Sequence, residues 1–144
     1  MRSALLDTGP IVGLLSANDT HHEAAIAALT ASSGLGRSLS TTWEVVGEAY
    51  TLLRMRAAPN LSAKPALVVL QWARESGVNV LTTTIDDHDR AGNMLKKYSD
   101  HRLSYVDALV LAIAERCRVE EILTADASHF RAVRLAHQAV ITIV

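Results

Sequence analysis

Four acidic residues stand at positions that solvent-facing charges seldom take: Asp7, Glu48, Asp107 and Asp126. Asp7 follows the apolar run Ser3–Leu6, and Asp126 follows Glu121–Ala125. Both runs read as short strands, and in open α/β sheets the carboxyl edge of the strands is where the loops leave a crevice for ligands. Asp107 is the one charged residue between Tyr105 and Ala114, in a segment that predicts a helix apolar on nearly all sides. Glu48 lies at the edge of the helical face formed by Val45, Val46, Ala49, Leu52 and Leu53. Glu44, one turn earlier, points further toward solvent but shares that side of the helix, which makes it a candidate for the rim of the same pocket. Carboxylates gathered in one place repel one another, and a shared proton or a bound cation relieves the cost. Hard oxygen donors without a cysteine or histidine cluster suit magnesium or manganese rather than zinc.

Each acid has a structural reading as well. Asp7, before Thr8-Gly9-Pro10, fits a turn or cap, and Asp126 fits the cap of a following helix. Asp107 stands three residues after Ser104, the spacing of a capping box, and Glu44 has the same relation to Thr41. Sequence physics leaves the two readings of Asp107 open. What would separate function from capping is convergence of all four acids.

The elements that must bring them together alternate. Strands are expected at Ser3–Leu6, Arg37–Ser40, Val78–Leu81, Glu121–Ala125 and Ala139–Val144. Between them, helices are expected from Ile11 to Ala17, from a capping box at Thr20-His21-His22-Glu23 to about Thr30, and from Thr41 to about Ala57, before Pro59-Asn60. A turn at Ser32-Ser33-Gly34 ends the second of these. Further helices are expected at Lys64–Ser76, Thr84–Tyr98, Ser104–Cys117 and Ser128–Leu135. Short apolar strands alternating with helices predict an α/β layered fold around a mostly parallel sheet.

Composition narrows the class. A chain of 144 residues suits one domain, and 49% hydrophobic against 20% charged residues excludes disorder. The single cysteine, Cys117, excludes an internal disulfide framework and a thiolate zinc cluster. No apolar run approaches a membrane span, and Asp7 comes too early for a secretory signal, so a soluble cytoplasmic protein is expected. The net charge of −1 argues against coating nucleic acid by charge alone; setting aside four clustered acids leaves fourteen positive against eleven negative charges, which a nuclease tolerates. No Gly-Lys-Ser/Thr phosphate loop occurs, and no second Asp follows Asp7 two positions on, which argues against a Walker nucleotide site and a haloacid-dehalogenase-like phosphatase. Of the histidines only His129 neighbours a candidate acid, and no acid–base mechanism is built on it.

Four blocks in order carry a resemblance: Leu5-Leu6-Asp7-Thr8-Gly9-Pro10, the stretch Ser40 to Arg54 with Glu48 ahead of Leu52-Leu53-Arg54, Leu103-Ser104-Tyr105-Val106-Asp107-Ala108, and Ile122-Leu123-Thr124-Ala125-Asp126 through Phe130. Over essentially its whole length the chain resembles the PIN-domain family, and within it the VapC-type toxin ribonucleases of toxin–antitoxin pairs. The second block selects Glu48 over Glu44. Bulky Trp43-Glu44 and the Ser128-His129 pair before Phe130 depart from the pattern without removing an acid.

The resemblance implies one PIN-like three-layer domain over residues 1–144. It implies hydrolysis of an RNA phosphodiester that depends on Mg2+, or on Mn2+, with Asp7, Glu48, Asp107 and Asp126 as catalytic and metal-binding residues. Asp7 and Asp107 are the strongest inner-shell candidates, and one-metal and two-metal schemes both stay open. Thr8, Ser104 and Glu44 are candidates for supporting contacts. Arg54 and Arg56, one to two turns beyond Glu48, are candidates for RNA phosphate contacts, with Lys96, Lys97, Arg131 and Arg134 as looser ones. A homodimer and a small antitoxin partner are implied too. The competing readings are a non-toxin nuclease of the same fold acting in RNA processing or repair, and a catalytically silent binding or regulatory protein with an acidic pocket.

Overall fold

The structure is a computed structural model and describes residues 2–57 and 64–144; Pro59-Asn60, expected to end a helix, lie outside the described residues. Five strands, β1 (Ser3–Leu6), β2 (Ser38–Thr42), β3 (Asn79–Leu81), β4 (Glu121–Thr124) and β5 (Val140–Ile143), form one sheet in the order β3-β2-β1-β4-β5, with every neighbouring pair parallel. Among the described residues seven helices connect them: α1 (Thr8–Leu15), α2 (His22–Gly34), α3 (Trp43–Arg56), α4 (Lys64–Glu75), α5 (Ile85–Lys97), α6 (Tyr105–Cys117) and α7 (Ala127–Ala132). Helices α1 to α4 pack on one another, α5 packs on α6, and α6 meets α7. The α/β fold with helices flanking a parallel sheet is therefore the one the alternation implies. No helix among the described residues is long and apolar enough to cross a membrane.

The centre of the sheet is the driest part. Leu5 and Leu6 of β1 and Ile122 and Leu123 of β4 are fully buried, as a parallel strand covered on both faces requires. Helix α6 is buried continuously from Ala108 to Ala114, so its apolar run lies inside a layer. Each fully buried Leu or Ile there contributes about 1.5–3 kcal/mol relative to an exposed one.

Several boundaries differ from expectation for identifiable reasons. Helix α1 starts at Thr8, directly after Asp7, and ends at Leu15. Helix α2 is not opened by a Thr20–Glu23 capping box: its cap is His21, which makes no side-chain cap bond, while the backbone N–H of His21 donates to Asp19 Oδ1 at 2.8 Å. The helix also runs through the expected Ser32–Gly34 turn. Strand β2 is longer than Arg37–Ser40, because Thr41 and Thr42 pair with Val80 and Leu81 of β3 and the Thr41 hydroxyl donates to the Leu6 carbonyl at 3.0 Å. Thr42 rather than Thr41 then caps α3, accepting from the Val45 N–H at 3.2 Å. Glu44 is consequently not the acid of a capping box.

Candidate functional site

Strand order places the site. Parallel pairing of β1 with β4 aligns Leu6 with Leu123, so the next residues, Asp7 and Thr124, emerge side by side at the carboxyl edge. The connections diverge at this point, β1 leading to the β2 side while β4 lies on its other flank, and such a switch point leaves the crevice of an open α/β sheet. The Asp7 N–H donates to the Leu123 carbonyl at 2.9 Å, and the Thr124 hydroxyl donates to Asp7 Oδ2 at 2.8 Å. That hydroxyl also accepts from the Asp126 N–H at 3.0 Å. One threonine thus fixes both strand-end acids.

Gly9 permits this closeness. A Cβ there would stand 2.4 Å from Ala125 Cβ, so the start of α1 and the turn after β4 touch only because residue 9 has no side chain. Thr8, beside it, donates its hydroxyl to Glu48 Oε2, which ties the first turn of α1 to α3 and turns Glu48 toward the crevice. Asp107 arrives on the first turn of α6. Its carboxylate accepts the Ser104 N–H at 3.0 Å while Ser104 Oγ accepts the Asp107 N–H at 3.0 Å. The capping box is real, and it leaves one Asp107 oxygen outside the cap.

The electrostatics show which acids share a field. Asp7 is buried, and burial pushes its carboxyl up to about 6. Thr124 and the Thr8 backbone pull it down, and the charges of Asp107 and Glu48 push it up again. Its Oδ1 is buried without a hydrogen-bond partner. Asp126, with half its side chain exposed, joins from the outside through His129, whose Nδ1 lies 3.0 Å from Asp126 Oδ2 and 3.3 Å from Asp107 Oδ2. Ser128 donates to the other Asp126 oxygen at 3.0 Å.

Of the side chains singled out in the sequence, Asp7, Thr8, Glu48, Ser104, Asp107 and Asp126 are linked by these contacts. Glu44 is turned elsewhere: its Oε1 accepts from Thr83 at 2.7 Å, and Thr83 is joined in turn to His88 at 3.2 Å. Arg56 is ion-paired with Asp19 at 2.7 Å, away from the acids, and Arg54 is half-buried on α3. Sequence reasoning missed Thr124 and Gly9 and set His129 aside. A Thr two residues before a strand-end Asp, and a Gly two residues after another, are the signals that were present.

Among the described residues no three His, Cys, Asp or Glu side chains are drawn together closely enough to hold a metal ion as they stand. The donor set nonetheless fits a hard divalent cation. A buried carboxylate oxygen with no donor is costly, and the charges of Glu48 and Asp107 raise that cost; a divalent cation held by these residues would offset it.

A parallel α/β sheet with oxygen-donor acids at its carboxyl-edge switch point defines an acidic site whose donors suit a hard divalent cation. The sequence model of the PIN domain matches residues 4–135, and the chain belongs to that family. Among curated relatives it is 30% identical over 123 residues to the VapC ribonuclease of Archaeoglobus fulgidus, covering 83% of this chain and 75% of that one. It is 25% identical over 130 residues to Ribonuclease VapC26 of Mycobacterium tuberculosis, covering 90% and 91%. Among solved structures, Mycobacterium tuberculosis VapC20, described as a Sarcin-Ricin loop cleaving toxin, superposes with a TM-score of 0.78 at 22% identity over 90% of this chain and 95% of that one. A toxin–antitoxin complex from Klebsiella pneumoniae gives 0.67 at 21% identity over 91% and 92%. At these identities the structural likenesses establish the fold.

Proposed function

We propose that this protein is a metal-dependent endoribonuclease and the toxin of a toxin–antitoxin pair. The observation that carries the reading is the unpartnered, buried Oδ1 of Asp7 in the shared field of Glu48 and Asp107, on a PIN-domain fold. Similarity to VapC ribonucleases supports RNA as the substrate, and the likeness to toxin–antitoxin complexes supports a small antitoxin partner. A homodimer belongs to the same proposal.

Asp7, Glu48, Asp107 and Asp126 would hold Mg2+ or Mn2+. When bound, the ion supplies a water of lowered pKa and neutralises charge on the scissile phosphate. The chain's own residues set the stage. Thr124 holds one oxygen of Asp7, leaving the other for the ion, and Thr8 holds Glu48 by one oxygen in the same way. The Ser104 cap fixes Asp107 on the rigid start of α6. His129 Nδ1 stands between Asp107 and Asp126, 3.3 Å from one and 3.0 Å from the other.

The test is cleavage of total RNA by the purified protein with magnesium, with manganese and with chelator, beside an Asp7→Asn variant prepared identically. Discrete products that need metal and vanish in the variant are expected. Equal cleavage by both proteins would overturn the assignment of the site, and no metal-dependent cleavage under any condition would overturn the activity.

A further inference from the structure

Two helices that carry site acids open on an exposed aromatic ring. Of the chain's one Phe, two Trp and three Tyr, Trp43 and Tyr105 are the exposed ones, at 49% and 47%. Trp43 is the first residue of α3, the helix of Glu48, and Tyr105 is the first residue of α6, the helix of Asp107. Rings of this size are usually buried, and the other four are buried or half-buried here. Tyr105 is also fixed in place, at its ring and at its hydroxyl. The imidazole of His88 lies against the ring, with centroids 5.7 Å apart and planes 22° from parallel. With that side backed by imidazole, the rest of the ring is open to a further flat group.

The hydroxyl ends a chain of side chains that begins at Glu44, and the acid end sets its direction. A carboxylate only accepts, so the Thr83 hydroxyl donates to Glu44 Oε1 at 2.7 Å. The Thr83 oxygen then accepts from His88 Nε2 at 3.2 Å. His88 Nδ1 is left as the bare nitrogen and accepts the Tyr105 O–H at 2.5 Å. Four elements are joined in this way: α3, the turn after β3, α5 and α6. Glu44 lies one turn from Glu48 and Tyr105 two residues from Asp107, so the chain borders the acidic site on its α5 side. Keeping it has a cost, because Glu44 Oε2 is buried with no hydrogen-bond partner among the described residues.

We infer that Tyr105 stacks an unpaired RNA base beside the point of cleavage, with His88, Thr83 and Glu44 as positioning residues that hold its ring. The choice of RNA rests on the nuclease reading; the choice of a flat aromatic ligand rests on the ring, its imidazole backing and its exposure. A base inside a duplex is already stacked on its neighbours, so a platform of this kind selects a strand whose bases are free. A ring fixed beforehand avoids the ordering cost that a mobile tyrosine would incur on binding. The contact carries no charge, so it adds affinity without adding to the salt dependence that phosphate contacts bring.

The test uses 12-nucleotide single-stranded RNAs, each with one 2-aminopurine at a different position, in chelator, where no cleavage occurs. Stacking quenches the fluorescence of that base. The wild-type chain is compared with Tyr105→Leu, Tyr105→Trp and His88→Ala, with circular dichroism melting to show that they fold. Quenching is expected in the wild type and in Tyr105→Trp, lost in Tyr105→Leu and reduced in His88→Ala. Tyr105→Leu should bind about tenfold more weakly by anisotropy, with the slope of log K against log salt unchanged. A wild type that binds without quenching, or does not bind, would overturn the inference. Equal quenching and affinity in Tyr105→Leu would overturn it too and leave the ring to a protein partner, and a shallower salt slope would show a charge contact instead. Should Tyr105→Leu fail to fold, photocrosslinking of a 5-iodouridine RNA to the wild type decides, and a crosslink that misses Tyr105 sinks the platform. Quenching that needs Tyr105 in a protein that cleaves nothing with metal would uphold the platform and sink the nuclease reading; cleavage without such quenching would do the reverse.

Discussion

The hydroxyl of Thr124 donates to Asp7 Oδ2 at 2.8 Å across the β1–β4 pairing, joining two residues 117 positions apart. It gives Asp7 one satisfied oxygen and leaves Oδ1 with none. Asymmetry of this kind costs stability in a metal-free fold and makes a carboxylate available to a cation.

Replacing Asp7 with Asn is expected to stabilise the metal-free protein while abolishing cleavage. The folded carboxyl titrates near 6 against an ordinary value of 3.8, so the native state holds a proton that the unfolded chain has lost, and stability falls as pH rises between those values. The full two-unit difference corresponds to about 3 kcal/mol. The variant amide is itself imperfectly satisfied, so a gain of about 1–2 kcal/mol above pH 6 is expected, shrinking toward pH 4. Thermal melting in chelator across that range checks it. Added manganese should raise the melting temperature of the wild type and leave the variant unmoved.

Thr124→Val keeps the shape and removes the hydrogen bond. Because that bond lowers the Asp7 carboxyl, its loss should raise the carboxyl further, and the pH profile of cleavage should move to higher pH. Manganese affinity, read by calorimetry, should fall more at pH 6.5 than at pH 8. An unshifted profile would show that Asp7 is not governed by Thr124.

Gly9→Ala drives a methyl into Ala125 Cβ, so the start of α1 and the turn after β4 must move apart at the edge that carries Asp7 and Asp126. A loss of about 1–3 kcal/mol in denaturant unfolding and a fall in cleavage rate are expected. Ala125→Gly in the same chain removes the clashing atom and should recover much of both. If the pair is no better than the single variant, the clash is not the cause.

Two capping boxes built alike should respond differently. Asp87 caps α5 with Thr84 and is also clamped by Arg116 at 2.8 and 2.9 Å, in a buried position. Burial pushes its carboxyl up, but Arg116 and the Thr84 bonds outweigh that and hold it below the ordinary range. Its contribution to stability is therefore present above the unfolded value and lost as pH falls through the folded one. Asp87→Ala is expected to cost about 2–3 kcal/mol near neutral pH, and less in acid. Asp107→Ala loses the cap bond from Ser104 and the contact with His129, about 1 kcal/mol, while eliminating cleavage. Urea unfolding and the RNA assay on both variants separate the structural acid from the functional one.

Much of this arrangement was readable from the residues, and the divisions are physical. Apolar runs such as Ala4-Leu5-Leu6 and Ile122-Leu123, ended by an acid, determined where the strands stop and what stands at their edge. The Ser104–Asp107 spacing determined a cap, because capping is local and needs only three residues of helix. The apolar run from Ala108 to Ala114 determined a buried helix. Pairings between distant elements were not readable. Sheet register sent Thr41 to the Leu6 carbonyl and made Thr42 the cap, which left Glu44 to Thr83 and Glu48 to Thr8. Only the assembled molecule put Thr124 beside Asp7, seated His129 between Asp107 and Asp126, and tied Arg56 to Asp19. Periodicity reports which face of an element is buried; which side chain meets which depends on strand order and register, and these are settled by packing across the whole sheet.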